Sequence, residues 1–199
     1  MAESRSGDCW LAVCGDTGTS PAALAEVEHR LLDLGRRVGA TEVATHVVRS
    51  AGGNHHAGSL RAPRSAELAA AVAAWARPGD AVVVSGDGDA PSAGDPGHVE
   101  HAVAVGRAHR ERASGRLVRF PGQEDLPGRL PLAELTTRSA VQAVDLVGVA
   151  DDPGLVLRTR EHVRPEYRDG VLVLPVAASG DGEVVPFESP RQRDCCSDH

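Results

Sequence analysis

Apolar residues recur along 21–38 at three- and four-residue spacing: Leu24, Val27, Leu31, Leu34 and Val38. That period predicts an amphipathic helix. Ser20 is a suitable N-cap ahead of Pro21, and Gly39 a suitable stop. Either side of this helix the pattern changes. CWLAVC (9–14) and AVVVS (81–85) are short unbroken apolar runs, the second typical of a strand buried on both faces. EVATHVVR (42–49) and RLVRF (116–120) read as two further strands. SAELAAAVAAWA (65–76) and the stretch from His98 to about Ser114 read as helices. Gly-rich 51–63 and acidic 86–97 read as loops.

This β-α-β-α-β-α-β alternation predicts an α/β fold over residues 1–120, a three-layer domain with a central parallel sheet. Right-handed crossovers then bring the loops 15–20, 50–63 and 86–97 to one carboxyl edge, where ligands bind in such folds. Beyond residue 120 the pattern shifts. Residues 121–131 read as a connector and 132–187 as a smaller β-rich extension packed on the first domain, with a hairpin around Gly180-Asp181-Gly182. Residues 188–199 form a polar tail holding Cys195, Cys196 and His199.

Composition narrows the chemistry. The 199 residues carry 21 basic and 28 acidic side chains, a net charge of −7, and contain neither Lys nor Ile. An acidic chain is a poor partner for nucleic acid, whose phosphates need an excess of cations. The absence of lysine removes Schiff-base catalysis and the Walker-type phosphate loop. No run of 18 apolar residues exists, so no membrane span is expected. The polar N-terminus lacks the apolar core of a signal peptide. A cytoplasmic protein with its four cysteines reduced is the expectation.

Candidate chemistry gathers in the loops. GDTGTS offers Gly15, Asp16, Thr17, Thr19 and Ser20 between a strand and a helix N-terminus, an arrangement suited to an anion. SGDGD places Asp87 and Asp89 after a buried strand, with Asp95 in the same loop, although a solvated acidic loop is the plainer reading. His98 and His101 open the third helix. With position 105 and His109 they share one helical face, but His109 lies about 16 Å along it from His98, which places it in different surroundings. His55 and His56 occupy a neighbouring loop, and imidazoles from separate loops suit a transition metal. Alternation of Arg158, Arg160, His162 and Arg164 predicts a basic strand face able to grip a phosphate or carboxylate. Cys195, Cys196 and His199 are soft ligands for zinc or iron, and need a fourth donor from the body of the protein. Cys9 and Cys14, five apart on one strand, point to opposite faces, so only one can serve, with Cys14 the better placed.

The order of elements in residues 9–120 resembles the class II tetrapyrrole chelatases of the sirohydrochlorin and cobalt type. LAVCGDTGTSPAAL lies where that family has its first strand, H-G-[ST]-x-x-P-like loop and long helix. APRSAELAAAV and DAVVVS follow in place of its later elements, and GHVEH (97–101) stands at its G-x-H-V-like loop. The resemblance implies metal insertion with His98 as the second metal histidine. The first is replaced here by Cys14 and Asp16.

Together these features predict a protein that binds a metal or small anionic ligand at the sheet's carboxyl edge, in a chelatase-like way. Asp16 and His98 would be the catalytic pair, within about 10 Å of each other. His55, His56, His98, Cys195, Cys196 and His199 would be metal ligands. Gly15, Thr17, Thr19, Ser20, Arg158, Arg160 and Arg164 would hold the ligand. The rivals are a non-catalytic module for a nucleotide or phosphorylated metabolite, and an interaction subunit with a metal-bound tail. The expected partner is a small molecule, with neither nucleic acid nor membrane, and a homo-oligomer is compatible.

Overall fold

A computed structural model describes residues 7–15, 20–50, 53–65, 67–85, 92–180 and 182–188. The chain divides into two compact units, residues 1–120 with 167–170, and residues 121–166 with 171–199.

The first unit runs β1 (Asp8–Cys14), α1 (Pro21–Val38), β2 (Glu42–Ser50), β3 (Gly53–Pro63), α2 (Leu68–Trp75), β4 (Ala81–Ser85), β5 (Ser92–Ala93), α3 (Pro96–Arg110) and β6 (Arg116–Arg119). Its strands lie in the order β5-β4-β1-β3-β2-β6, and each of these pairings is antiparallel. The predicted parallel sheet is therefore not formed. The cause is the segment 53–63. It reads as a loop, but it is a strand that pairs back on β2 from Ser50 opposite Gly53 and slots between β2 and β1. The crossover helices do join strands that run the same way. β1 and β2 are co-directional with β3 between them, and β3 and β4 with β1 between them. Residues 8–85 thus form the split β-α-β arrangement of ferredoxin-like sheets.

Alternation along the strands sorts the core into two layers. Cys9, Leu11 and Val13 of β1 pack with Val27, Leu31 and Leu34 of α1 and Leu68 and Val72 of α2. Ala12 and Cys14 face the other way and pack with Ala57, Val83, Ala102 and Val105 under α3. Cys9 and Cys14 do point to opposite faces, and burial raises the Cys9 thiol above its ordinary pKa. The ends of α1 form as the local signals predict. Ser20 Oγ accepts from the Ala23 N–H at 3.1 Å, and Gly39 takes φ 65° at the C-cap. The segment Tyr167–Gly170, with the end of β10 (Glu166–Arg168), belongs to this unit, and the Tyr167 N–H donates to the Gly115 carbonyl at 2.9 Å.

The second unit holds β7 (Arg129–Pro131), a 3₁₀ turn Leu132–Glu134, α4 (Leu135–Arg138), β8 (Ala143–Val147), β9 (Val156–Arg158), β11 (Val171–Gly180) and β12 (Glu183–Pro186). The strand order is β8-β11-β12-β9-β7, with β8 parallel to β11 and β9 parallel to β12. Leu130, Leu135, Leu157, Leu172, Leu174 and Val184 form its core.

The predicted basic face over 158–164 is not built, because β9 stops at Arg158. Arg158 pairs with Glu183 at 3.3 Å, Arg160 lies in a turn, His162 meets Glu188 Oε1 at 3.2 Å, and Arg164 donates to the Val163 carbonyl. That turn is closed by the His162 N–H on the Thr159 carbonyl at 2.9 Å, and its central residues Arg160 and Glu161 both have positive φ, 52° and 56°. Side chains with a Cβ resist this conformation, which Asn-Gly adopts readily. The double substitution Arg160→Asn, Glu161→Gly is expected to stabilise the protein by about 1–2 kcal/mol. A urea midpoint that stays put or falls would contradict this geometry.

Candidate metal centre

One end of the first unit's sheet gathers three segments for a topological reason. Cys14, the last residue of β1, stands opposite Ala57 of β3 and Ala81 of β4. Both neighbours run against β1, so their first residues lie beside its last, and His55 lies two positions before Ala57. The β4–β5 pairing, Val82 with Ala93, carries the chain back, so α3 begins at this same end. Asp95 caps α3 by accepting from the Gly97 and His98 N–H groups, and Pro96 occupies the first turn. His98 and His101 are thereby delivered to the edge. The edge predicted from a parallel sheet is not the one observed. Since β1 and β4 are antiparallel, their last residues Cys14 and Ser85 lie at opposite ends of the sheet.

The donors at this edge are close. Cys14 Sγ lies 3.1 Å from His55 Nε2. The ligand atoms of Cys14, His55 and His101 all lie within 4.8 Å of one another, a grouping with the make-up of a metal-binding triad. Cys14 is buried, and both imidazoles are half-buried. The His101 ring centre is 5.1 Å from that of His55, and its buried Nδ1 has no hydrogen-bond partner among the described residues. His98 stands alongside, its ring centre 6.1 Å from that of His55. His98 Nδ1 is 3.3 Å from the Gly79 carbonyl, which can only accept, so the ring proton of a neutral His98 sits on Nδ1 and Nε2 keeps its lone pair. His98 also lines a cleft of about 470 Å³ with Arg30, Asp80, Arg77, Glu26 and Asp95. In that cleft Arg30 pairs with Asp80 at 2.7 Å and Arg77 with Glu26 at 2.7 Å.

Compared with known proteins, the chain matches no family model, no curated sequence and no solved structure. The geometry alone carries the reading.

Of the other residues singled out in the sequence, His56 lies on the opposite face from His55, buried in a small cavity beside Leu31 and Trp75. It cannot share an ion with His55. Gly15 packs against Asp80, where a Cβ would sit 2.7 Å from Oδ1. Ser20 is occupied as the α1 cap and Asp95 as the α3 cap. Asp16, Thr17, Thr19, Asp87, Asp89, Cys195, Cys196 and His199 lie outside the described residues. Arg158, Arg160 and Arg164 belong to the second unit, whereas the 15–20 segment belongs to the first.

The sheet-facing stripe of α3 also reaches a second cluster that the sequence reading missed. His109 is wholly buried. Its Nδ1 is 2.8 Å from Ser59 Oγ, which is in turn 2.8 Å from His46 Nε2. Its Nε2 is 3.2 Å from Glu42 Oε2. Glu42 also accepts from Tyr167 OH at 3.0 Å and from Arg61 Nη1 at 2.9 Å, and Arg61 donates onward to Asp8 at 2.9 Å. One proton arrangement satisfies every member. His46 Nε2–H donates to Ser59 Oγ, the Ser59 hydroxyl donates to His109 Nδ1, and His109 Nε2–H donates to Glu42. Burial, with His109 nearby, holds His46 down at about 3. Burial alone would raise Glu42, but its bonds from His109, Arg61 and Tyr167 outweigh that and hold it at about 2. Burial and the Glu42 charge push Tyr167 well above the ordinary phenol range. The available signal was alternation: Glu42 and His46 on one strand, and Ser59 and Arg61 on the next, are two apart or four apart and so share a face.

Proposed function

We propose that this protein binds one transition-metal ion of the zinc class through Cys14, His55 and His101, with His98 as the fourth donor. The observation that carries the reading is the approach of one thiol and two imidazoles, from a strand end, a strand start and a helix, to within 4.8 Å. Donors bound tetrahedrally at about 2.0–2.3 Å from zinc are roughly 3.3–3.8 Å apart, so the set needs only a small contraction. Nitrogen and sulfur donors select zinc, copper or cobalt over magnesium or calcium. His98 sets its Nδ1 against the Gly79 carbonyl, the support that metal-ligating histidines usually have for the ring nitrogen that does not bind the ion. With His98 engaged, the site is a four-donor holding site. With His98 withdrawn, one position opens to the cleft it lines, the state needed to release the ion or admit a small ligand. A chelatase-like role, in which the ion is cargo for a tetrapyrrole, is the finer form of this reading. It draws on His98 and on Cys14 standing in place of the family's first histidine.

The test is a cobalt(II) titration of the reduced protein. One equivalent is expected to bind, with a thiolate-to-cobalt charge-transfer band and strong tetrahedral visible bands. Cys14→Ser is expected to lose the charge-transfer band. His101→Ala is expected to weaken binding by more than about 100-fold, and His98→Ala by about 10–100-fold. Absence of stoichiometric binding, or an unchanged spectrum in Cys14→Ser, would overturn the reading. The 3.1 Å contact between Cys14 and His55 also suits a thiolate–imidazolium pair. Rapid alkylation of Cys14 by iodoacetamide, unaffected by zinc, would favour that alternative.

A further inference from the structure

Helix α3 meets the sheet in an unusual way. Its middle is thin and small. Ala102, Val105 and Gly106 are buried against Ala12, Ala57 and Val83, and a Cβ on Gly106 would lie 3.1 Å from the Ala12 methyl. Its two ends are polar. His101 stands in the Cys14–His55 cluster near the first turn, and His109 in the Ser59–Glu42 network near the last. Eight residues of helix, about 12 Å, separate the two attachments. A helix seated on one small apolar cluster, with Val99, Ala102 and Val105 on its side, and held by a polar tie at each end is a natural unit of local opening.

Building on the metal reading above, we propose that α3 is an acid-sensitive clamp. The ion at one end and the buried imidazole network at the other close the same helix, so proton uptake by His46 at the far end drives release of the ion. The coupling follows from what opening exposes. With α3 in place, His46 is enclosed by Ser59 of β3, His109 of α3 and the backbone of Gly115. None of these carries a negative charge that would stabilise a protonated His46. Glu42 is saturated by Arg61 of β3, His109 of α3 and Tyr167, whose ring carries the Arg112 guanidinium at 5.6 Å. Removing α3 takes His109 away and admits water to His46.

The sign of the His46 contribution follows from its burial. His46 is neutral in the closed state down to about pH 3 and regains its ordinary value near 6.5 when exposed. The open state therefore binds the extra proton, and below pH 6.5 each pH unit multiplies the open population by up to tenfold. Glu42 adds to this only below its ordinary 4.5, since its closed-state value is about 2. An ion that requires His101 binds the closed state, so it opposes opening, and acid opposes it in turn. His46 and Glu42 belong to the cluster around His109, and Cys14, His55 and His101 to the one at the other end of α3, so this contribution is separate from protonation of the ligands themselves.

The experiment is hydrogen exchange on the full chain, metal-free and with zinc, from pH 7.5 to 4.5, with protection corrected for intrinsic exchange. Metal-free protein is expected to lose protection along α3 by up to tenfold per pH unit below 6.5, while the β1–β3 amides keep theirs. His46→Asn is expected to flatten that dependence. Should the variant fail to fold, the wild-type contrast between α3 and the strands decides alone. Zinc is expected to restore protection across α3, including the turn around His109. Loss of protection in α3 and the strands together, or pH-independent protection in α3, overturns the clamp. Stoichiometric cobalt binding with no added protection at His109 overturns the coupling and leaves the metal site standing. No cobalt binding, with acid-dependent opening intact, overturns the metal reading and with it the release of an ion.

Discussion

Glu42→Gln is expected to destabilise the first unit by about 3–5 kcal/mol, the range for breaking a buried charge pair from one side. The carboxylate receives Arg61, His109 and Tyr167 at once while almost wholly buried. An amide supplies one acceptor and turns an NH₂ toward at least one of three donors. The Arg61 guanidinium keeps Asp8 but loses its buried partner. The substitution should also change the acid limb of stability. Glu42 is held near 2 in the folded protein against an ordinary 4.5. It therefore contributes stability that is fully present above pH 4.5 and drains away as the pH falls towards 2, about 3 kcal/mol in all. Urea denaturation at pH 7 and pH 3.5 checks both parts. The gap between wild type and Glu42→Gln should narrow at the lower pH, and a gap that widens, or a loss under 1 kcal/mol at pH 7, would contradict the network.

Gly58→Ala is expected to destabilise by about 3 kcal/mol, although alanine is ordinarily the milder residue in a strand. Gly58 sits in β3 under α1, and a Cβ there would lie inside van der Waals contact with the end of Leu31, 2.8 Å from Cγ. Leu31 is itself buried, so the whole side chain, and with it the helix, must shift. The double variant Gly58→Ala, Leu31→Ala supplies the check. Leu31→Ala alone leaves a cavity and loses about 2–5 kcal/mol. The added methyl then occupies part of that space, so the pair should be better than the sum of the two by at least 1 kcal/mol. Strict additivity would mean that α1 is not seated on Gly58.

The helices were legible because their signals are local. Ser20, Pro21 and Gly39 act on their own neighbours, and the Leu24 to Val38 stripe needs nothing distant to be recognised. The sheet was not, because direction is a property of partners. NHHAGSLRA hides a strand behind two histidines and a glycine that serve tertiary contacts: His55 meets Cys14, Gly58 makes room for Leu31, and Ser59 bridges two imidazoles. Each is poor strand material judged alone. Placing that one strand reverses the sheet from parallel to antiparallel. The candidate site was half legible for the same reason. His55 and His98 stand out as polar residues near element ends. Cys14 reads as a donor for the tail cysteines rather than for His55, and His101 as a companion of His98. Their convergence depends on β4 and β5 folding back, which no local pattern announces. The Glu42 network is further from view, since its members are spread from Asp8 to Tyr167.

The interleaved order of the first unit bears on how it must assemble. β2 and β3 are neighbours in the sheet and consecutive in the chain, with Ser50 opposite Gly53. β1 is flanked by β3 and β4, so within this unit β1 waits for residues 53–63 and then 81–85 before both its edges are covered. Its register with β4 pairs Cys14 with Ala81, a loop of more than sixty residues to close. Such long-range closure raises contact order and slows folding. The β2–β3 hairpin is the natural nucleus, with β1 adding to its free edge next and β4 last. Until residue 85 has emerged, β1 offers an apolar edge to any neighbouring chain, and that is the interval in which this protein is most exposed to aggregation.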